Sequence, residues 1–416
     1  MHSTQRATAG AALASLIAMT AASLSTTAYA ADEPGQRFKL TFADLPAPNA
    51  TQSASNPSRS IPRPAGATLK VPAGFQVNLF AERLDNARWM TVAPNGDVFL
   101  AEPNADKITV LRDANNDGVA ELRSTFLANA DRVHGLAIQG SNLYYTTPSD
   151  IFRVAYTPGD TKAVGAPVLV GARNSLGDGS GHFTRNIAIS PDGQGIYVAV
   201  GSRGNVGEEP APRATVTRFD INGGNPTTFG SGLRNPVGIT FRPGSNDLYV
   251  VVNERDGYGD GLVPDFLTRV QQGDFYGWPY AYLGPNRSPG QLGTIRPQLV
   301  AQTKAPDVLF EAHSAPLGLA FYEGTQFPAE YRTGAFVALH GSWNSGKPTG
   351  YKVVYAPFAN GRPTGEYINF ATGFWASGTA RAEVWGRPVG IVVARDGSLL
   401  VADDVGQAIW RISYPG

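Results

Sequence analysis

The sequence contains no cysteine, which excludes disulfides, thiolate metal sites and cysteine nucleophiles. Charge is sparse and balanced: 34 basic residues face 34 acidic ones, and charged residues make up 16% of the chain. That balance gives no electrostatic reason to expect nucleic acid or an anionic membrane surface as a partner. Beyond the first thirty residues no apolar run is long enough to span a bilayer, so membrane insertion is not expected. Histidine is scarce too, with five in all. Helical periodicity is missing from the body of the chain.

What is present starts with a leader. A short polar stretch carrying Arg6 precedes an apolar run from Ala9 to about Leu24, followed by Ala28-Tyr29-Ala30. This is the layout of a cleaved secretory signal, with processing expected after Ala30 and a periplasmic or secreted product. Loss of Arg6 leaves 33 basic residues against 34 acidic ones. A mature chain of this length can bury a large core without disulfides. The 48 glycines, 31 prolines, 16 tyrosines and 20 phenylalanines suit many short strands joined by turns.

One pattern recurs six times. A short apolar strand opens at Trp89-Met90-Thr91-Val92, His134-Gly135-Leu136-Ala137, Arg185-Asn186-Ile187-Ala188, Val237-Gly238-Ile239-Thr240, Leu317-Gly318-Leu319-Ala320 and Val389-Gly390-Ile391-Val392. Each is followed by a turn and two further β-rich runs; three of the turns are Pro94-Asn95-Gly96, Pro191-Asp192-Gly193 and Arg395-Asp396-Gly397. Such repeats predict an all-β chain, a six-bladed β-propeller. The last copy is too short to supply its own outer strand, and Phe75-Gln76-Val77-Asn78-Leu79-Phe80 has no blade of its own. The N-terminal strand is therefore expected to complete the last blade and close the ring, which removes exposed sheet edges. The organisation expected is a signal peptide (1–30), an extended or mobile lead-in (31–66) and a propeller domain (67–416). The spacing places insertions in the last two intervals.

In a propeller the residues just before each first strand crowd one mouth of the channel. Here they include Trp89, His134, His182 with Arg185 and Asn186, Arg234-Asn235-Pro236, His313, and Arg387-Pro388. A histidine at a strand end is often merely structural. Clustered scarce histidines and arginines at equivalent repeat positions favour a site, with arginine forks for an anionic ligand and a histidine base. The loop Asn253-Glu254-Arg255-Asp256-Gly257-Tyr258-Gly259-Asp260 offers oxygen donors for a hard cation such as Ca²⁺. Asp113-Ala114-Asn115-Asn116-Asp117-Gly118-Val119-Ala120-Glu121 reads either as a short calcium loop or as an Asx-rich turn. The aromatics Tyr276, Trp278, Tyr280, Trp343, Trp375 and Trp385 are candidates for walling a sugar or flat-cofactor pocket, or for plain packing.

Gly181-His182-Phe183-Thr184-Arg185-Asn186, Gly232-Leu233-Arg234-Asn235-Pro236-Val237-Gly238, Gly273-Asp274-Phe275-Tyr276-Gly277-Trp278-Pro279 and His340-Gly341-Ser342-Trp343-Asn344 resemble the glucose/sorbosone dehydrogenase family. The likeness runs from about Pro72 to Tyr414 and is nearest to the sorbosone dehydrogenase-like branch. It implies a six-bladed propeller that uses pyrroloquinoline quinone (PQQ) and Ca²⁺ to oxidise an aldose or aldehyde-type sugar. His182 is then the catalytic base, taking the hydroxyl proton as hydride passes to the quinone. Arg234, Asn235 and Arg387 bind the cofactor, and His340 stands where a PQQ-binding lysine is usual. The metal is expected at the backbone carbonyls of about Arg255 and Asp256. With no cysteine there is no haem attachment motif, so electrons pass to a separate acceptor.

The chain departs from the family pattern in three places. Ser202 stands where an Asp orients the histidine in the glucose dehydrogenase branch, Val389 lies near the place of a second carboxylate-binding arginine, and His340 replaces the lysine. Glu208, Glu209 and Asn205 are candidates to compensate. A non-catalytic carbohydrate- or protein-binding propeller and a Ca²⁺-dependent lactonase are the alternative readings.

Overall fold

The computed structural model describes residues 32–415, so the expected leader and its cleavage site lie outside the described residues. The described chain is nearly all β and propeller-like. Its only α-helices, Leu292–Ile295 and Pro297–Gln302, are short, and among the described residues no helix is long and apolar enough to cross a membrane.

Six antiparallel meanders follow one another along the chain. The first comprises Trp89–Val92, Val98–Glu102, Lys107–Arg112 and Leu122–Leu127, and the second runs from Leu136–Gln139 to Val168–Val170. The third runs from Ile187–Ile189 to Thr227–Ser231, the fourth from Asn235–Phe241 to Val308–Ala312, and the fifth from Pro316–Phe321 to Tyr367–Ala371. The sixth holds Pro388–Val393, Leu399–Asp403 and Ala408–Ser413, and its outer strand is Gln76–Ala81, from the N-terminal side of the chain. The turns Asn95-Gly96, Asp192-Gly193 and Asp396-Gly397 share one chemistry. The Asx side chain accepts a backbone N–H two residues on, and the glycine takes a positive φ.

Four of the six opening motifs contain a glycine, and each has a packing reason. A Cβ at Gly135, Gly238, Gly318 or Gly390 would collide with the carbonyl oxygen of Arg185, Leu317, Val389 or Arg88, on the next sheet round. Gly390 also donates its N–H to Arg88 O at 3.0 Å, joining the sixth sheet to the first. The apolar core is divided accordingly into wedges between neighbouring sheets. Tyr249, Val251 and Phe310 of the fourth sheet pack on Leu319, Val337 and Val354 of the fifth. Phe80, Leu400 and Ile409 of the sixth pack on Met90, Val98 and Leu100 of the first. Each such side chain contributes roughly 1.5–3 kcal/mol by burial.

The first strands differ between the two halves of the molecule. In the first three sheets they pair with their neighbours without interruption. In the last three the register shifts between Pro236 and Ile239, Pro316 and Leu319, and Pro388 and Ile391. These β-bulges fall at the same Pro-x-Gly tripeptide each time. Bulges bend a strand and re-aim the side chains beside it.

The lead-in is extended and docked. Arg37–Phe38 adds an edge strand to the fifth sheet, Asn49 donates its N–H to Tyr258 O, Asn56 to Trp343 O, and Arg59–Ser60 pairs with Glu383–Val384.

Candidate functional site

The bulges set up a cavity of about 540 Å³ at one mouth of the ring. The residues ahead of each bulge proline, Asn235, Ala315 and Arg387, line it. Val237, Leu317 and Val389, caught between proline and glycine, pack together as an apolar trio, of which Val237 and Leu317 reach the cavity. Val389 is fully buried in that trio, so its place belongs to the cavity's apolar base. His182, Arg234, His340 and Asp256 also line the wall.

His182 is held by backbone. Its Nδ1 lies 2.8 Å from Ser202 O and 3.1 Å from Ser202 Oγ, and its own N–H donates to the same carbonyl at 3.1 Å. A carbonyl only accepts, so Nδ1 carries the proton and Nε2 is left with its lone pair. Burial first, and the Arg234 charge second, push the His182 pKa down to about 4, so the ring is neutral at pH 7. The Ser202 hydroxyl is spent on Gly204 O at 2.6 Å. The main chain therefore orients the ring.

Arg234 is turned into the protein. Its guanidinium donates to Glu254 O at 2.8 Å and Asn205 Oδ1 at 2.9 Å, and pairs with Asp256 at 3.3 Å. It thus builds the 253–256 turn. Asn205 locks the same turn by accepting the Asp256 N–H and donating to Asp256 O. The Asp256 carboxylate accepts from Asn344 and sits 3.4 Å from His313 Nδ1. Burial opposes ionisation of Asp256, but His313 and Arg234 outweigh it and hold its pKa below the usual carboxylate value. Asp265, which no sequence motif marked, accepts the N–H groups of Glu254 and Ala315 at 2.7 and 2.8 Å. Burial pushes its pKa up to about 7 against those two bonds.

On the opposite wall Arg387 donates to the carbonyls of His340 and Gly341 at 2.9 and 2.6 Å. His340 Nε2 meets Asp404 at 3.0 Å, and Asp404 also takes Arg88 at 2.7 Å. Arg88 lines the cavity as a cation the sequence reading passed over.

The structure leaves other candidates outside the cavity. The Arg255 side chain is fully buried and bound to Glu254 and Ser288, so only its backbone is left for a ligand. His134, Arg185 and Asn186 do not reach the mouth. His134 Nδ1 pairs with Asn186 Oδ1 at 2.7 Å, Asn186 donates to Val237 O, and Arg185 donates to the carbonyls of His182, Thr184 and Leu176. Of the six aromatics only Trp343 lines the cavity, 53% exposed; Tyr276, Trp278 and Trp385 are buried packing. Glu209 caps the N–H groups of Arg203 and Gly204, and Glu208 binds Tyr280. Asp113, Asp117 and Glu121 do bring their carboxylates together on the periphery, with the loop's N–H groups bonded to them.

The lining has the donors for an anionic planar cofactor and a hard cation. Arg88 and Arg387 supply positive charge. Asn235 Oδ1 and Glu254 Oε1, both buried on the cavity wall, have no hydrogen-bond partner, and oxygens of this kind are what Ca²⁺ takes. His313 Nε2 is likewise unpartnered.

Comparison with known proteins agrees with this architecture. The sequence profile of the TrAA12-like family matches residues 69–261 and 297–415. A pyrroloquinoline quinone-dependent pyranose dehydrogenase of Coprinopsis cinerea is 27% identical over 83% of this chain and 54% of its own length. The chain therefore spans about half of that enzyme. An uncharacterised protein of Borreliella burgdorferi is 29% identical over 83% of this chain and 91% of its own. Among solved structures, the holo form of the PQQ domain of the Coprinopsis cinerea pyranose dehydrogenase superposes with a TM-score of 0.70 at 23% identity, covering 85% of this chain and all of that one. The soluble aldose sugar dehydrogenase of Escherichia coli, in its apo form, gives 0.58 at 17% identity, covering 82% and 99%.

Proposed function

Because the chain belongs to the TrAA12-like family, we propose that it is a PQQ- and Ca²⁺-dependent dehydrogenase of an aldose or aldehyde-type (sorbosone-like) sugar. We read its six sheets as the blades of a six-bladed propeller closed by Gln76–Ala81, and the protein as exported to the periplasm or beyond. The observation that carries the functional reading is the His182 imidazole: neutral, fixed by a backbone carbonyl, with its Nε2 lone pair free on a cavity flanked by Arg88 and Arg387.

When bound, the quinone supplies the hydride acceptor that the protein's own side chains lack. Arg88 and Arg387 would hold its carboxylates, with Asn235 on the adjoining wall. The 254–256 turn, braced by Arg234 and Asn205, would offer the cation Glu254 Oε1 and the Arg255 carbonyl, with Asn235 Oδ1 on the neighbouring strand as a third candidate oxygen. His182 removes the proton of the sugar hydroxyl through Nε2. Its Nδ1–H bond to Ser202 survives that step and stabilises the imidazolium formed. Electrons leave to a separate acceptor.

Purified protein given PQQ and Ca²⁺ should reduce a dye with a panel of aldoses. No reduction with any of them, together with metal-dependent lactone hydrolysis in the absence of quinone, would replace this reading with the lactonase one. Saturable sugar binding with neither activity would replace it with a binding propeller.

A further inference from the structure

The second strand of the sixth sheet ends at Asp403, and the next residue, Asp404, sits where three sheets meet. Its carboxylate takes Arg88, which immediately precedes the first sheet, at 2.7 Å. It also takes Nε2 of His340, which immediately follows a strand of the fifth sheet, at 3.0 and 3.2 Å. One buried carboxylate therefore joins the fifth, sixth and first sheets behind the cavity wall, with its side chain only 9% exposed. Burial opposes its ionisation, but the contacts to His340 and Arg88 overcome this and hold its pKa well below the usual carboxylate range. An ionised carboxylate accepts and does not donate. The hydrogen between Asp404 and His340 thus belongs to His340 Nε2.

That assignment fixes the other ring nitrogen. Burial and the Arg387 charge push His340 down to about 4, so it carries one proton at neutral pH, and that proton is on Nε2. Nδ1 then bears a lone pair and has no hydrogen-bond partner among the described residues. The backbone at this residue is fixed on both sides. The His340 N–H is tied to Ala315 O at 2.9 Å, and its carbonyl is tied to Arg387 at 2.9 Å.

We propose that Asp404 is a positioning residue of this cavity: it sets His340 as the Nε2–H tautomer, so that Nδ1 meets the bound ligand as a hydrogen-bond acceptor, and it holds Arg88 in place beside it. A lysine at this position would donate to a carboxylate. His340 held in this way accepts from a hydroxyl or N–H of the ligand, and the binding of carboxylates falls to Arg88 and Arg387. The inference deepens the dehydrogenase reading, and only its ligand arm rests on that reading.

The test has two arms. In ¹⁵N-histidine-labelled protein without ligand, long-range ¹H–¹⁵N spectra should show His340 protonated on Nε2, with the signals assigned through His340→Gln. Asp404→Asn, whose amide can donate to the ring, should move the proton to Nδ1. It should also weaken PQQ binding by about tenfold or more, with charge-assisted bonds as the basis of that scale, and Asp404→Glu should restore part of the affinity. A wild-type His340 protonated on Nδ1 overturns the proposal outright, and this holds even if the Asn variant fails to fold. A folded Asp404→Asn protein with the wild-type tautomer and unchanged PQQ affinity overturns it as well. An Nε2–H tautomer in a wild-type protein that binds no PQQ would sustain the positioning of His340 and overturn the cofactor reading alone.

Discussion

The first three sheets and the last three are built on the same repeat, yet they divide the labour unequally. The first strands of sheets one to three pair straight through, and their polar residues turn inward, as in the buried bond between His134 and Asn186. The first strands of sheets four to six are broken by a Pro-x-Gly bulge. Each bulge puts one side chain into the apolar trio of Val237, Leu317 and Val389 and leaves the residue before the proline on the cavity wall. The plain half gives the cavity Arg88 and the loop around His182; the bulged half gives nearly everything else. The site thus becomes one-sided through three register shifts in the first strands of sheets four to six.

The sharpest way to break this contrast is at the one reacting group supplied by the plain half. His182→Ala should lower turnover by about 10²–10⁴-fold, the usual worth of a positioned base, while folding and quinone binding persist. Undiminished turnover would remove His182 from its role. The wild-type pH profile sharpens the same point. The His182 pKa is lowered to about 4, so the free lone pair is available above that pH and lost below it. Turnover should rise through about pH 4 and stay level through 6.5, where an ordinary histidine titrates; a rise centred near 6.5 would contradict the assignment.

In the bulged half the expected effects fall on binding. Arg387→Ala removes a cation and two bonds to the His340–Gly341 carbonyls. It should weaken quinone binding by about 10–100-fold, on the scale of charged hydrogen bonds, as read by absorbance titration. Trp343 stands exposed at the rim with its carbonyl pinned by Asn56. Trp343→Ala should raise KM for a sugar by roughly five- to tenfold at similar kcat, since stacking contributes on the order of 1 kcal/mol. A fall in kcat alone would place the indole elsewhere in the reaction.

The contrast also explains what was legible in the sequence. The repeat itself was readable because its marks are single residue types at fixed places: an Asx-Gly turn, and a glycine required by a carbonyl at the start of a neighbouring sheet. The positions of His182, His340 and Arg387 followed from that register. The bulges were not readable, because Pro-x-Gly looks like the beginning of an ordinary strand until its partner is known. Val389 therefore looked like a missing arginine, when it belongs to the apolar base of the cavity. Ser202 looked like a lost aspartate because a backbone carbonyl has no residue type to mark it. Asp265 and Asp404 escaped notice for a related reason: each bridges segments far apart in the chain, 50 residues for Asp265 to Ala315 and 316 for Asp404 to Arg88.

The central claim is that the mouth cavity binds a quinone and uses His182 to drive its reduction by a sugar. Its most direct test is the absorbance of PQQ titrated into the wild-type and His182→Ala proteins with Ca²⁺ present, followed by addition of an aldose. The account predicts saturable binding to both proteins and sugar-dependent reduction of the quinone in the wild type alone. Absence of saturable binding to the wild-type protein, or equal reduction in both, would contradict it.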